Sequence, residues 1–150
     1  MRTLNATIYE AQARVWLSKA QLDLGQRDAS KANALKALEL ATVLKQKASL
    51  GFAKRMLAVV ETGELCNYAD SKENAEHLHR IENLFTESLS HFGELKMEHE
   101  AARTRLEMAS FYKKLGNTKA YGEQLALARG VLEKLGAPGD LRKIRQAEST

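Results

Sequence analysis

The side chains in this sequence best suited to chemistry are four histidines, one cysteine and a spread of carboxylates. His77 and His79 stand two apart, and on a helix such neighbours point to different faces. His91 and His99 fall in different expected helices and meet only if the tertiary fold brings them together. Neither spacing forms a metal site, and surface or loop positions are expected for all four. Glu94, Glu98 and Glu100 crowd a charged helix start, where negative charge complements the macrodipole, so they are read as structural. Cys66 sits beside Tyr68 in a loop, with no basic residue or histidine near in sequence to stabilise a thiolate. There is no Gly-rich phosphate loop, no Gly-x-Ser-x-Gly and no His-Glu-x-x-His. The expectation is a non-enzymatic protein with no catalytic residue, no cofactor and no metal.

The chain that must position these groups is helical. Its 150 residues fit one domain, 44% hydrophobic and 28% charged, as in ordinary globular proteins. A single proline leaves helix permitted almost everywhere, and Ala, Leu, Glu and Lys, all strong helix formers, dominate. One cysteine excludes an intrachain disulfide and makes a reducing, cytoplasmic location the default. No window approaches 18 uninterrupted apolar residues, and the N-terminus lacks a signal-peptide core, so no membrane partner is expected. Charge runs basic, acidic, basic: +4 over residues 1–50, −5 over 51–100 and +5 over 101–150. A nucleic-acid binder concentrates basic charge on one face, often with stacking aromatics, and neither is evident here.

Apolar spacing predicts seven helices and no strand. Ile8, Ala11, Val15, Leu17, Ala20 and Leu24 stripe the first; Ala34, Leu35, Ala37, Leu38, Ala41 and Leu44 the second. Leu50, Ala53, Met56, Leu57 and Val60 mark the third, from about Lys47, and Ala75, Leu78, Ile81, Phe85 and Leu89 the fourth. Met108, Phe111, Tyr112 and Leu115 belong to a fifth, Leu125, Ala128, Val131 and Leu132 to a sixth, Leu141 and Ile144 to a short seventh. Gly25, Gly63, Gly93 and Gly116 are expected to close helices, with Asp28, Ser71 or Asp70, and Asp140 as caps. Trp16, between Val15 and Leu17, is expected to pack beneath the first two helices. Its exposure would instead point to a contact with another domain or a second copy.

The helices repeat in pairs. Leu17-Ser18, Gln21 and Leu24-Gly25 align with Met108-Ala109, Tyr112 and Leu115-Gly116, and Met56-Leu57, Val60 and Gly63 form a degraded third copy. Small residues follow near the middle of the second helices, at Ala34, Ala37 and Ala128. The pattern resembles the tetratricopeptide repeat over about residues 8 to 136, with units lengthened and proline-poor, similar to arrays in large bacterial regulators. The resemblance implies an all-α, right-handed superhelix (an α-α solenoid). About three antiparallel hairpins, at about 5–45, 47–92 and 95–136, would be closed by a capping helix at about 139–147.

The resemblance also implies a function. In such arrays the first helix of each unit lines a concave groove for a partner segment. Here that groove would take Gln12, Val15, Lys19 and Asp23 from the first helix. The third would add Lys54, and the fifth Arg103, Leu106, Ser110 and Lys113. The four cations would favour an acidic protein or peptide partner. The expected role is therefore protein–protein interaction, by docking a partner segment or a neighbouring domain of one regulator. A nucleic-acid-binding repeat using the basic ends is the alternative, opposed by the acidic middle and scarce aromatics. Exposed repeat ends would also allow a homodimer.

Overall fold

The computed structural model describes residues 3–65 and 72–149, the side chains of Lys72 and Glu73 excepted. These residues form seven α-helices and no strand: α1 Leu4–Asp23, α2 Arg27–Leu44, α3 Lys47–Gly63, α4 Lys72–Glu94, α5 Glu98–Lys114, α6 Thr118–Leu135 and α7 Pro138–Glu148. Cys66, Tyr68, Asp70 and Ser71, the last two expected as caps, lie outside the described residues.

Five helix ends share one construction: Leu24-Gly25-Gln26, Leu44-Lys45-Gln46, Leu95-Lys96-Met97, Leu115-Gly116-Asn117 and Leu135-Gly136-Ala137. In each, the middle residue is left-handed, from φ 53° at Lys45 to φ 78° at Gly25. The N–H of the third residue then reaches the carbonyl five residues back, as Gln26 does to Gln21 at 2.8 Å and Asn117 to Tyr112 at 3.0 Å. Each turn satisfies carbonyls that the helix end would otherwise orphan. Gly25 and Gly116 close helices as expected. Gly63 is instead the last residue of α3, and Gly93 lies inside α4, where Lys96 takes the left-handed position. Glycine only makes that conformation cheap; a lysine adopts it for about 1 kcal/mol where the turn demands it.

The chain divides into two compact units, Met1–His91 and Phe92–Thr150. In the first, α1 and α2 run antiparallel, because partner numbers rise as α1 numbers fall. Ser18 Oγ donates to the Ser30 carbonyl at 2.7 Å, and Arg14 Nη1 to Asn33 Oδ1 at 2.9 Å. Ser30 Oγ returns a bond to the Ser18 carbonyl at 2.7 Å, so both buried hydroxyls are satisfied. Ala34, Ala37 and Ala41 are fully buried along α2, as the small residues there suggested. α3 packs on both α1 and α2. Ala34, Met56, Leu57 and Val60 form one core cluster of this unit, joined by Val15, Leu22, Leu38 and Leu84. α4 is tied to α3 where Ser88 Oγ donates to the Gly51 carbonyl at 2.8 Å.

In the second unit, Arg105 Nη1 bonds Gln124 Oε1 at 3.0 Å across the α5–α6 pair. The core joins Ala102, Ala109, Leu125, Ala128, Leu132 and Ile144, with Leu106, Val131 and Leu141 packed against it. α7 lies on α6, buries Ile144 and leaves Arg142, Lys143 and Arg145 exposed.

A shift of 91 residues relates the two units. It carries Leu24-Gly25-Gln26 onto Leu115-Gly116-Asn117, α2 onto α6 from end to end, and the start of α3 onto the start of α7. It also carries the Arg14–Asn33 bond onto Arg105–Gln124. The repeat is thus reproduced in hydrogen bonds as well as in residue types.

Three local expectations fail. Trp16 does not pack beneath α1 and α2 but stands 66% exposed, with Leu17, Ala20 and Leu24 exposed as well. α1 turns Ala11 and Ser18 inward, because Ser18 meets Ser30 and lets the two backbones close up. Asp28 and Asp140 are not caps: each lies in its helix's first turn, and neither α2 nor α7 has a side-chain cap. Glu98 and Glu100 do sit in the first turn of α5, but Glu94 is the last residue of α4.

Candidate interaction site

The residues assigned to a groove are distributed over both units. On α1, Gln12 is exposed, Val15 is half-buried in the core, and Lys19 is salt-bridged to Asp23 at 2.7 Å. On α3, Lys54 meets Glu87 of α4 at 2.7 Å and His91 Nε2 at 3.2 Å. On α5, Leu106 packs on the core and the Ser110 hydroxyl donates to the Leu106 carbonyl at 3.3 Å. Lys113 lies over the Tyr121 ring, 5.7 Å from its centroid. The 91-residue shift places Gln12 on Arg103, Val15 on Leu106 and Lys19 on Ser110, so these are equivalent positions of the two units.

Arg103 alone among them belongs to a larger cluster. Its Nε donates to Asp140 Oδ2 at 3.2 Å, and its Nη1 to Glu100 Oε1 at 3.3 Å. His99, one turn earlier on α5, places Nε2 2.6 Å from the same Asp140 oxygen, and Lys143 Nζ lies 3.7 Å from Oδ1. An ionised carboxylate only accepts, so His99 carries its proton on Nε2 in this contact. Asp140 is buried. Burial pushes its carboxyl upward, but the His99 hydrogen bond, the charge and hydrogen bond of Arg103 and the charge of Lys143 outweigh it. The carboxyl is held below its ordinary value.

His99, Arg103, Asp140 and Lys143, with Arg142 and Gln146, line an open depression of about 620 Å³ at the start of α7. Arg103, Arg142 and Lys143 bring three permanent positive charges to it against the carboxylate of Asp140 and that of Glu100, which is paired with Arg103. The first backbone amides of α7 add to the positive potential. The equivalents of His99, Arg103, Asp140, Arg142 and Lys143 in the first unit are Ile8, Gln12, Ser49, Gly51 and Phe52, none of them charged.

Sequence reasoning places His99 at the surface or in a loop and Asp140 as a cap. The available signal was the pair His99 and Arg103, four apart on one helix face, with an acidic residue opening a later helix. A looser counterpart stands in the first unit. There the buried Glu61 of α3 accepts from Arg80 Nε at 3.0 Å and lies 3.6 Å from His77 Nε2. Among the described residues no group of His, Cys, Asp and Glu is arranged to hold a metal ion, and no helix is long and apolar enough to cross a membrane. No protein-family model matches the chain, and neither a curated protein nor a solved structure matches it.

Proposed function

We propose that this chain is a helical-repeat interaction module of the tetratricopeptide kind, its hairpins stacked as a right-handed superhelix, which docks an acidic protein segment. The 91-residue correspondence supports the repeat, and the packing of α1 on α3 supports stacking, since first helices of successive hairpins meet in such an array. The observation that carries the docking is the depression on α5 and α7, where three permanent cations outnumber the carboxylates of Asp140 and Glu100. α5 and α7 correspond to α1 and α3, so the depression lies between two consecutive first helices, the place a groove occupies. The segment it receives would belong to a separate protein or to a neighbouring domain of a larger bacterial regulator, in a reducing cytoplasm.

The test is fluorescence anisotropy with a labelled oligoglutamate peptide. Arg142→Glu/Lys143→Glu should weaken binding about tenfold, since two exposed charges contribute up to about 1 kcal/mol each. Both side chains are exposed, and circular dichroism checks that Lys143→Glu, beside Asp140, leaves the helices folded. Lys19→Glu/Lys36→Glu, on the other unit, should leave binding unchanged. Equal loss from both pairs, or no binding of the peptide, would sink the assignment. Preferential capture of a single-stranded oligonucleotide, with affinity falling steeply with salt, would replace it with the nucleic-acid reading.

A further inference from the structure

The outer face of α1 is apolar and uncovered. Tyr9, Ala13, Trp16, Ala20 and Leu24 follow helical spacing along it, with Leu17 alongside, opposite the inward Ala11 and Ser18. Tyr9 is 69% exposed, Leu24 73% and Leu17 48%. The 91-residue shift carries Ala13, Leu17 and Ala20 onto Thr104, Met108 and Phe111 of α5, which are 0%, 5% and 1% exposed. Three of the stripe positions are thus buried in α5 and bare in α1, while Tyr9, Trp16 and Leu24 correspond to Glu100, Glu107 and Leu115, which are not buried. Apolar side chains stand there where a lone surface helix would carry charge.

We infer that a second copy of this chain covers this face, with α1 packed antiparallel on α1 across a two-fold axis between Trp16 and Leu17. About that axis the stripe reads the same in both directions: Tyr9 faces Leu24, Ala13 faces Ala20 and Trp16 faces Leu17. Large residues meet large ones, and the alanines between them let the helices approach closely. The same register sets Glu10 level with Asp23 and Arg14 level with Lys19, like charge with like, so these charges must be neutralised within each helix. α1 satisfies this although the chain carries +4. Its two acidic and two basic residues are matched within the helix, Glu10 with Arg14 at 3.1 Å and Lys19 with Asp23 at 2.7 Å. The exposed parts of Tyr9, Trp16, Leu17 and Leu24 supply about 500 Å² per copy. A pair therefore removes about 1,000 Å², where specific interfaces begin.

Trp16 is the only tryptophan, so its emission reports on the contact itself. Light-scattering mass and Trp16 fluorescence are measured together over a concentration series of the full chain. The expected result is a rise from 16.7 kDa to twice that mass, with a blue shift of emission over the same concentrations. Tyr9→Glu/Leu24→Glu, at surface positions, should keep the helical circular dichroism but remain a monomer with red-shifted emission. Leu127→Glu/Leu135→Glu, on the exposed side of α6, should still dimerise. A mass of 16.7 kDa at every concentration would overturn the inference. So would a doubled mass without the emission shift, or a dimer lost in the α6 variant and kept in the α1 variant.

Discussion

The helices α1–α2–α3 and α5–α6–α7 are two fillings of one scaffold. Their turns, the length of the second helix and the cross-helix bond of Arg14 or Arg105 coincide after a 91-residue shift, yet their seams are closed differently. In the first, Ala34, Ala37 and Ala41 and the paired hydroxyls of Ser18 and Ser30 bring α1 and α2 together. In the second, the equivalents are Leu125, Ala128 and Leu132, with Ala109 and Tyr121 at the serine positions. One seam gains stability from closeness and hydrogen bonds, the other from buried hydrocarbon. Their surfaces diverge further: α1 offers an apolar stripe, and α5 with α7 a charged depression. The repeat thus fixes backbone turns and a few seam positions, and leaves the outward positions free to differ.

Exchanging the seam residues tests this most strongly. Leu132→Ala should cost about 2–5 kcal/mol by opening a cavity, and the reverse exchange, Ala41→Leu, about 1–3 kcal/mol by overpacking, both read by urea unfolding. If Ala41→Leu stabilised the protein, the two seams would not differ in closeness.

Asp140→Ala should cost about 1–2 kcal/mol at neutral pH, because His99 and Arg103 lose their shared acceptor but are exposed enough to be rehydrated. Its pH dependence has a fixed sign. The folded carboxyl lies below its ordinary value, so Asp140 contributes full stability above the unfolded aspartate pKa of about 3.9. That contribution disappears as pH falls through the lowered folded value. The stability difference between wild type and Asp140→Asn should therefore shrink in acid. A difference that grew toward low pH would contradict the cluster.

The turns give a smaller effect. Lys45→Gly and Lys96→Gly should each stabilise by about 1 kcal/mol by relieving a left-handed lysine. Gly116→Ala should cost a similar amount through its backbone alone, since an added Cβ there meets nothing within 4 Å. Smallest is the serine seam. Ser18→Ala and Ser30→Ala should each cost somewhat under about 1 kcal/mol, and the double variant about their sum, because each hydroxyl donates to the other residue's backbone carbonyl, which the single change leaves in place. A double variant costing far less than that sum would mean the two hydroxyls act as one unit.

Much of this was legible beforehand. The helix positions, the Leu-Gly turns at 24–25 and 115–116 and the small residues of α2 follow from local rules, which depend on spacing and backbone preference alone. The alignment of Leu17 with Met108 already contained the 91-residue shift that the hydrogen bonds reproduce. Legibility ended where a residue's role depends on which of several apolar neighbours turns inward. Val15, Trp16 and Leu17 are adjacent, and apolar spacing favoured Leu17, whereas the Ser18–Ser30 contact turns that residue and Trp16 outward.

The candidate site was legible only in part. Arg103 was assigned through the repeat pattern, but its partners were not, since His99 and Asp140 are 41 residues apart and read separately as a surface histidine and a cap. Sequence by itself determined an all-helical chain of paired, short-turned helices, because helix propensity, glycine turns and apolar period are properties of neighbouring residues. Only the tertiary structure decided that Asp140 is a buried acceptor and Trp16 a bare aromatic. Burial and charge pairing are set by which helix faces meet, and residues distant in the chain supply those faces.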